Sequence, residues 1–289
     1  MILRATHRTR YSYSMPSIES QNEVRLMPLT DESQRCIEFK LRIDPPCKVF
    51  SYDEPGGTVH YFGVRSAHPL LEIVAEALVE TSLSNPFDGL NLIEPDWHLY
   101  EAGAIRQANA EFLVESPYVP VNGEVRQIAE TVRKNSNGAV SDFLRRLGTW
   151  IHDSLTYDPD ATHVHTKLEE VLQLRAGVCQ DFAHLMIGCC RSQGVPARYV
   201  SGYLFVGGSA GMRGEQATHA WLECMLPSGK WLAIDPTNDL LVNDRYIAVH
   251  IGRDYTDVTP TRGVYIGTPA KSLDVSVNVD RLDICSTVC

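Results

Sequence analysis

The sequence lacks the signals of a membrane protein, a secreted protein and a zinc or dithiol protein. No window reaches the roughly eighteen continuous apolar residues of a membrane span. The N-terminal MILRATHRTRYSYS has no apolar stretch behind a basic end, so we expect neither a membrane anchor nor a signal peptide. The eight cysteines include no CxxC pair. We therefore expect a cytoplasmic protein with reduced thiols that needs neither a metal nor another cofactor.

Positive charge is also scarce. The 289 residues include 26 lysines and arginines against 36 aspartates and glutamates, a formal net charge of −10. A nucleic-acid groove and a membrane-binding face both require a positive field, so neither nucleic acid nor a membrane is expected as a partner. The length suits one large domain or two modest ones. No heptad pattern indicates a particular oligomeric state.

Hydrophobic periodicity changes near residue 100. Before that point, IEFKLRI (37–43) and residues 71–79 alternate apolar and polar side chains, as half-buried strands do. The DEPGG turn between KVFSY and TVHYFGV predicts a hairpin. Beyond residue 100, apolar residues first follow helical spacing, and strand patterns return after Gly194. We predict an α+β protein with an antiparallel β domain at 1–100 and a core of helices and strands at 101–289.

Capping and stop residues place the elements of this core. Helices are predicted at 125–132, from an N-cap at Ser141 to 155, from an N-cap at Thr166 to 175, and from Cys179 to Gly194. Strands are predicted at ARYVSGYLFV, THAWLECML, KWLAID and LDVSVNV. The Gly-rich segment 207–216 is expected to be a loop and is a candidate lid over a cleft.

Cys179 stands where a cysteine becomes reactive. It follows the helix-stopping Gly177 and opens a strongly apolar helix, so its sulfur is expected in the first helical turn. Unpaired backbone N–H groups and the helix dipole favour a thiolate there. The backbone N–H of the same residue points toward an oxyanion formed on its own acyl group. A buried structural cysteine is the competing interpretation, and position alone does not exclude it.

His219 and Asp235 meet only if the hairpin between them has the right loop. A two-residue loop of Ser228 and Gly229 places them on opposite faces of the two strands. A three-residue loop that includes Pro227 makes them diagonal neighbours on one face, about 7–8 Å apart between backbones. Proline suits the first turn position and glycine the left-handed bulge position, so the sequence predicts the three-residue loop. Nucleophile, general base and orienting carboxylate then follow in chain order.

Other polar residues admit rival interpretations. His163 and His165, with His152 upstream, are interpreted as solvated histidines and not as a metal site, because no cysteine or carboxylate stands beside them at ligand spacing. A zinc site made of the three triad residues themselves is the weaker alternative, since zinc does not explain a helix-start cysteine. Tyr157 is interpreted as covering the core, with oxyanion donation as the alternative. His184 lies off the face of Cys179 and is interpreted as structural.

Three motifs in order resemble one known superfamily. GVCQDFAHLMIGCCRSQGVPARYVSGY, followed by ATHAWLECMLPSGKWLAIDPTND, closely resembles the transglutaminase-like superfamily, whose core motifs centre on a GxC helix start, an HAW strand and a DPT strand end. THRTRYSYSMPSIESQNEVRLMP and GRDYTDVTPTRGVYIG resemble a bacterial branch in which a β domain precedes this core, often described as predicted cysteine proteases. The resembling segments extend over nearly the whole chain.

The resemblance implies a papain-like core, a helix bundle packed on an antiparallel sheet. In that core Cys179 is the nucleophile, His219 the base and acid, and Asp235 the residue that orients the imidazole. The implied chemistry is acyl transfer, in which the thiolate attacks the carbonyl of a peptide or another amide and water or a second amine captures the thioester. We favour water capture, hence a protease or amidase. A transglutaminase and a non-catalytic peptide-binding module are the alternatives.

Overall fold

Antiparallel sheets dominate both parts of the chain, and the helices gather on one of them. The computed structural model describes residues 1–82, 85–87, 90, 95–100, 103–207, 212–213, 218–267 and 270–282. The strands are Ile2–Ser17 (β1), Glu19–Val24 (β2), Gln34–Asp44 (β3), Val49–Glu54 (β4), Gly57–Val64 (β5), His68–Thr81 (β6), Thr156–Tyr157 (β7), Ala176–Gly177 (β8), Ala197–Leu204 (β9), His219–Met225 (β10), Trp231–Asp235 (β11), Leu240–Leu241 (β12), Tyr246–Gly252 (β13), Thr261–Ile266 (β14) and Ala270–Leu282 (β15). The α-helices are Ala104–Ala108 (α1), Gly123–Lys134 (α2), Val140–Ser154 (α3), Leu168–Leu174 (α4), Cys179–Ser192 (α5) and Tyr255–Val258 (α6).

The six N-terminal strands and two C-terminal strands form two four-stranded antiparallel sheets. One has the strand order β15–β1–β6–β3 and the other β14–β2–β5–β4. The predicted strands at 37–43 and 71–79 and the predicted DEPGG hairpin are all present. Ile37 departs from its predicted inward position because the register shifts between Cys36 and Glu38, which leaves this residue exposed.

Two strands near the C-terminus pair with strands at the N-terminus. Thr261 of β14 lies opposite Val24 of β2, and Leu282 of β15 lies opposite Ile2 of β1. Segment 261–282 therefore joins the β region, although the predicted core range of 101–289 included it. Alternation identified β15 as a strand, but alternation does not specify which distant strand edge will receive it. The boundary near residue 100 stays a prediction.

The core sheet carries the helices on one face. Its strand order is β12–β11–β10–β9–β13, and every pairing is antiparallel. Helix α5 lies against β10 and β9, and α2 and α3 pack against α5. Phe182 and Met186 of α5 are fully buried in one cluster with Leu222 and Ile234 of the sheet. This is the predicted α+β core. Within the described ranges, no helix is long and apolar enough to cross a membrane.

Two helix starts differ from the prediction. Helix α3 is preceded by Ala139, and α4 by Lys167, so Ser141 and Thr166 are not the N-caps. The backbone N–H of Val140, the first residue of α3, instead donates to Oδ1 of Asp96 at 2.8 Å. Asp96 lies 44 positions earlier in the chain. A carboxylate brought by tertiary structure thus replaces the local hydroxyl cap. Most of the predicted 207–216 loop lies outside the described residues, as do Cys285 and Cys289.

Polar contacts join the β region to the core sheet. The Gln34 side chain donates to the carbonyl of Ala248 in β13 and accepts from its N–H, both at 2.8 Å. Nδ1 of His7 in β1 lies 3.2 Å from the hydroxyl of Tyr203 in β9. Both contacts are buried or nearly so, and together they fix how the β region sits on β9 and β13.

Candidate active site

A glycine and an aspartate define the helix start that carries Cys179. Oδ2 of Asp181 accepts the N–H of Val178 at 2.8 Å and the hydroxyl of Thr162 at 2.7 Å. A Cβ at Gly177 would lie 2.5 Å from that same oxygen, so glycine leaves the space that the cap occupies. Cys179 stands in the first turn of α5 and is 9% exposed. The predicted nucleophile is therefore at the predicted helix start.

The β10–β11 hairpin has the three-residue loop that the sequence predicts. The N–H of Leu226 donates to the carbonyl of Lys230 at 2.8 Å, and the strand ladder continues in that register. Gly229 has φ of 82°, the left-handed conformation that glycine adopts without a steric penalty. This register places His219 and Asp235 on one face of the hairpin, as the prediction requires.

His219 and Asp235 form a buried pair. Nε2 of His219 lies 2.8 Å from Oδ2 of Asp235, and both side chains are inaccessible to solvent. The same oxygen accepts the hydroxyl of Tyr246 at 2.8 Å and the side-chain amide of Asn238 at 2.7 Å, while Oδ1 accepts the N–H of Thr237 at 2.9 Å. Burial opposes the ionised form, but the charge of His219 and these hydrogen bonds hold the pKa of Asp235 below its usual value.

The imidazole of His219 connects the carboxylate to the thiol. Burial acts to lower its pKa, but the charge and hydrogen bond of Asp235, together with the interaction with Cys179, raise the pKa of His219 from 6.5 to about 10. Because Nε2 is bound to Asp235, Nδ1 is the ring nitrogen left for the sulfur. Nδ1 is buried and has no hydrogen-bond partner among the described residues, so it is available to the sulfur. The three predicted triad residues are thus brought together.

Aromatic packing holds the His219 ring in place. Trp221, two residues later on β10, is almost fully buried with its ring centroid 6.2 Å from that of His219. Tyr246 stands edge-on to Trp221 at 5.3 Å. Gly202 lies opposite His219 on β9, and a side chain there would collide with the Trp221 indole. The HAW motif therefore supplies both the imidazole and the ring that supports it.

Sequence reasoning missed two residues that bind the Asp235 carboxylate. Asn238 had a local signal, since it follows Asp235 by three residues in DPTND, at the spacing of a turn. Tyr246 had none, because it lies on β13, which β9 and β10 separate from β11 in the sheet. Only the folded sheet brings the Tyr246 hydroxyl to Asp235.

The remaining predicted residues have other partners. Nε2 of His184 accepts the N–H of Tyr255 at 3.2 Å, and burial lowers the pKa of His184 to about 3, in keeping with a structural role. His165 contacts the hydroxyl of Tyr118 at 3.0 Å, and Nδ1 of His152 lies 3.0 Å from a backbone carbonyl. Across the described ranges, no group of three or more His, Cys, Asp and Glu side chains is arranged to hold a metal ion.

Tyr157 packs against the core and also lies near the predicted nucleophile. Its ring is half-buried and packs against the core cluster, as the favoured interpretation predicts. Its phenol is also close enough to the Cys179 thiol for the two groups to interact electrostatically.

Family models match both parts of the chain. The model of the transglutaminase-like superfamily matches residues 126–236, and the model of the bacterial transglutaminase-like N-terminal region matches residues 3–80. An uncharacterised protein of Mycobacterium leprae is 35% identical over 97% of this chain and 99% of its own length. An uncharacterised protein of Mycobacterium tuberculosis is 38% identical over 96% of this chain and 91% of its own length. The chain belongs to the transglutaminase-like superfamily.

Relatives of this transglutaminase-like protein include a named enzyme and a solved structure. A protein-glutamine gamma-glutamyltransferase of Pseudomonas aeruginosa is 30% identical over 127 residues, which is 40% of this chain and 18% of that enzyme. The crystal structure of a proposed cysteine protease from Cytophaga hutchinsonii superposes with a TM-score of 0.74 over 98% of this chain and 92% of that one, at 21% identity. The superposition confirms the predicted fold: an N-terminal β region and a transglutaminase-like core.

Proposed function

We propose that this protein is a cysteine-dependent acyl-transfer enzyme that cleaves amide bonds through a thioester on Cys179. The observation that carries the proposal is the buried 2.8 Å pair of His219 and Asp235, whose imidazole interacts with a thiol at a helix start. A carboxylate holds one nitrogen of the imidazole, and the other nitrogen serves the sulfur. A catalytic triad requires this arrangement, in which the carboxylate orients the imidazole and the imidazole exchanges a proton with the nucleophile.

The reaction begins with a thiolate and an imidazolium. Because Asp235 raises the pKa of His219, the ring holds a proton at neutral pH and pairs with the negative sulfur. The sulfur attacks the amide carbonyl carbon, and the C–S bond forms as the carbonyl π electrons move to oxygen. When the carbonyl reforms, the C–N bond breaks, and the proton on Nδ1 of His219 goes to the departing nitrogen. An amine leaves, and a thioester remains on Cys179.

The second half of the reaction decides the product. His219, now neutral, removes a proton from an incoming nucleophile, which attacks the thioester and returns the sulfur to its starting state. We propose that the nucleophile is water and the enzyme a protease or amidase acting on peptides or other amides.

The expected cytoplasmic location fits the six free cysteines among the described residues, and fractionation of cells that express a tagged chain tests it.

Amine capture is the second candidate function. The 30% identity to an enzyme named protein-glutamine gamma-glutamyltransferase favours it, since that name describes transfer of a glutamyl acyl group to an amine. Incubation with a glutamine peptide and a labelled amine separates the two outcomes. Hydrolysis predicts free acid as the main product, whereas faster incorporation of the amine would make the protein a transglutaminase.

Mass spectrometry of trapped thioester tests acyl transfer itself. Wild-type protein incubated with peptide pools and quenched in acid is expected to gain an acyl mass on the peptide that contains Cys179, and Cys179→Ala is expected to gain none. Iodoacetamide labelling near neutral pH provides a check that needs no substrate. Selective labelling of Cys179 that is lost in His219→Ala supports the ion pair, while slow, equal labelling of all thiols would favour a non-catalytic binding module.

A further inference from the structure

Backbone pairing holds Tyr157 beside the nucleophile. Strands β7 and β8 form a short parallel pair in which Tyr157 lies opposite Gly177, and the N–H of Asp158 donates to the Gly177 carbonyl at 3.0 Å. Paired strands are about 4.8 Å apart. Cys179 follows Gly177 by two residues, a reach of about 7 Å at most. The strand pairing therefore holds the backbone of Tyr157 close to that of Cys179.

The Tyr157 hydroxyl is free to bind a ligand. No described residue hydrogen-bonds to it, whereas the hydroxyl of Tyr246 is taken up by Asp235. Tyr199 is the other phenol that interacts electrostatically with the thiol, but it is only 2% exposed and has no room for a substrate atom. Tyr157 is half-buried, so its hydroxyl is the one that both the thiol and a bound substrate can reach.

The charges around Tyr157 suit a hydrogen-bond donor. Burial and the neighbouring Cys179 raise the pKa of Tyr157, so the phenol keeps its proton at neutral pH. The guanidinium of Arg213 lies 5.9 Å from the ring centroid and opposes that rise. Within the described residues Arg213 makes no ion pair with a carboxylate, so its positive charge is available to favour negative charge near the hydroxyl.

One oxyanion donor is already present in the helix. The N–H groups of Asp181 and Phe182 reach the Val178 carbonyl at 2.9 and 3.2 Å, while the N–H of Cys179 lies in the first turn, where the helix offers no acceptor. A tetrahedral oxyanion is commonly held by two donors. We propose that Tyr157 is a further catalytic residue, whose hydroxyl is the second donor to the oxyanion formed on Cys179. The inference rests on the proposed acyl transfer.

Tyr157 acts without losing its proton. As the C–S bond forms, the carbonyl π electrons move to oxygen, and the hydroxyl of Tyr157 shortens its hydrogen bond to that oxygen. When the carbonyl reforms, the leaving group takes its proton from His219 and the hydroxyl returns to its ground-state contact. Its contribution is therefore confined to steps that pass through a tetrahedral carbon. Alkylation of the sulfur by iodoacetamide has no such intermediate.

Two reactions of the same sulfur therefore test the role of the hydroxyl. Acylation is followed by release of 4-nitrophenolate from 4-nitrophenyl acetate, and alkylation by the rate of iodoacetamide labelling of Cys179. We expect Tyr157→Phe to acylate about 100-fold more slowly than wild type and to alkylate at the wild-type rate. Tyr199→Phe is the matched control, because it removes the other phenol near the thiol, and it is expected to keep both rates.

Each other outcome overturns the inference. An acylation rate of Tyr157→Phe close to wild type shows that the hydroxyl is not a donor. An equal fall in acylation and alkylation shows that Tyr157 acts on the thiolate or on the fold. A loss of acylation in Tyr199→Phe assigns the role to that phenol instead. If wild type itself is neither acylated nor selectively alkylated, the proposed function fails and takes this inference with it.

Discussion

The two ends of helix α5 place the same side chain in opposite surroundings. Cys179, at the N-terminal end, is slightly exposed and contacts the imidazole of His219. Cys189 and Cys190, near the C-terminal end, are fully buried, and burial raises the pKa of Cys189 well above its ordinary value. The sulfur of Cys190 lies 3.6 Å from that of Cys224. The helix terminus, a charged neighbour and slight exposure together distinguish the proposed nucleophile from a core residue.

Two buried histidines, His184 and His219, also differ in pKa because their surroundings differ. Burial lowers the pKa of His184 to about 3, because the nearby carboxylate of Asp254 does not offset it and the charge of Arg191 also lowers the pKa. His219 is equally buried, yet Asp235 in direct contact raises its pKa to about 10. Both rings are desolvated, so the difference comes from their neighbours: Asp235 and Cys179 raise the pKa of His219, whereas Arg191 lowers that of His184. The variants below each remove one side chain or one contact of this site. The largest effect is expected from the exchange of Cys179 and the smallest from the loss of the Tyr246 hydroxyl.

Exchange of the cysteines is expected to have the largest effect. Cys179→Ala should reduce acylation by 4-nitrophenyl acetate at least about 10³-fold, because the nucleophile is lost. Cys190→Ala, on the same helix, is the control and should keep the wild-type rate. The burst of 4-nitrophenolate measures both. A comparable loss in the two variants would mean that helix packing, not the sulfur at position 179, determines the rate.

Asp235→Asn is expected to have the second-largest effect. The variant removes the charge of Asp235, which raises the pKa of His219, and leaves the burial that lowers it and the interaction with Cys179 that raises it, so we expect that pKa to fall from about 10. A smaller share of the imidazole would then carry a proton at pH 7, and acylation should fall about 10²- to 10⁴-fold. NMR titration of the His219 ring from pH 5 to 10 measures the pKa.

The control for this variant is Asp239→Asn. Asp239 has φ of 51°, a conformation that asparagine tolerates, and its carboxylate accepts the hydroxyl of Thr149 on α3 at 2.9 Å. This variant should titrate and acylate like wild type. A His219 pKa that stays near 10 in Asp235→Asn would show that the carboxylate is not the cause.

Gly177→Ala tests the cap at the helix start. The added methyl group would lie 2.5 Å from Oδ2 of Asp181 and displace the carboxylate that caps α5. We expect a loss of about 2 kcal/mol in the free energy of unfolding, measured by urea denaturation. Gly123→Ala is the control, because nothing lies within 4 Å of its added carbon. Equal stability of the two variants would show that the Asp181 carboxylate does not stabilise the start of α5.

Tyr246→Phe is expected to have the smallest effect. It removes one of three side-chain donors on Oδ2 of Asp235 and leaves His219 and Asn238 in place. A hydrogen bond to a charged group is worth about 1.5 kcal/mol, so acylation should slow about tenfold. Tyr203→Phe removes a buried hydroxyl that contacts His7 instead, and it should keep the wild-type rate. An unchanged rate in Tyr246→Phe would mean that the other donors suffice.

The part of the site that was predicted from sequence is the part that depends on local geometry. Pro227, Ser228 and Gly229 specify a three-residue turn, and strand alternation then determines which residues share a face. Those two rules suffice to place His219 and Asp235 together from the order of the residues. Cys179 followed in the same way, from the glycine that precedes an apolar helix.

The part that was not predicted depends on contacts between distant segments. Tyr246 reaches Asp235 from the far edge of the core sheet, and Asp96 caps a helix that begins 44 residues later. Strand β15 pairs with β1 at the edge of an N-terminal sheet. Each residue carries an ordinary local pattern that fits several partners. The choice among them is made by chain packing as a whole, which periodicity within a window does not contain.

The sequence by itself indicated the superfamily through its GxC, HAW and DPT motifs. It also determined the main strands and helices of the core and the face on which His219 and Asp235 meet, because turn chemistry and side-chain periodicity act over a few residues. Tertiary structure alone decided the protonation of His219, the set of donors around Asp235 and the placement of Tyr157 beside Cys179. These depend on burial and on charges at hydrogen-bond distance, and both exist only once remote segments have packed together.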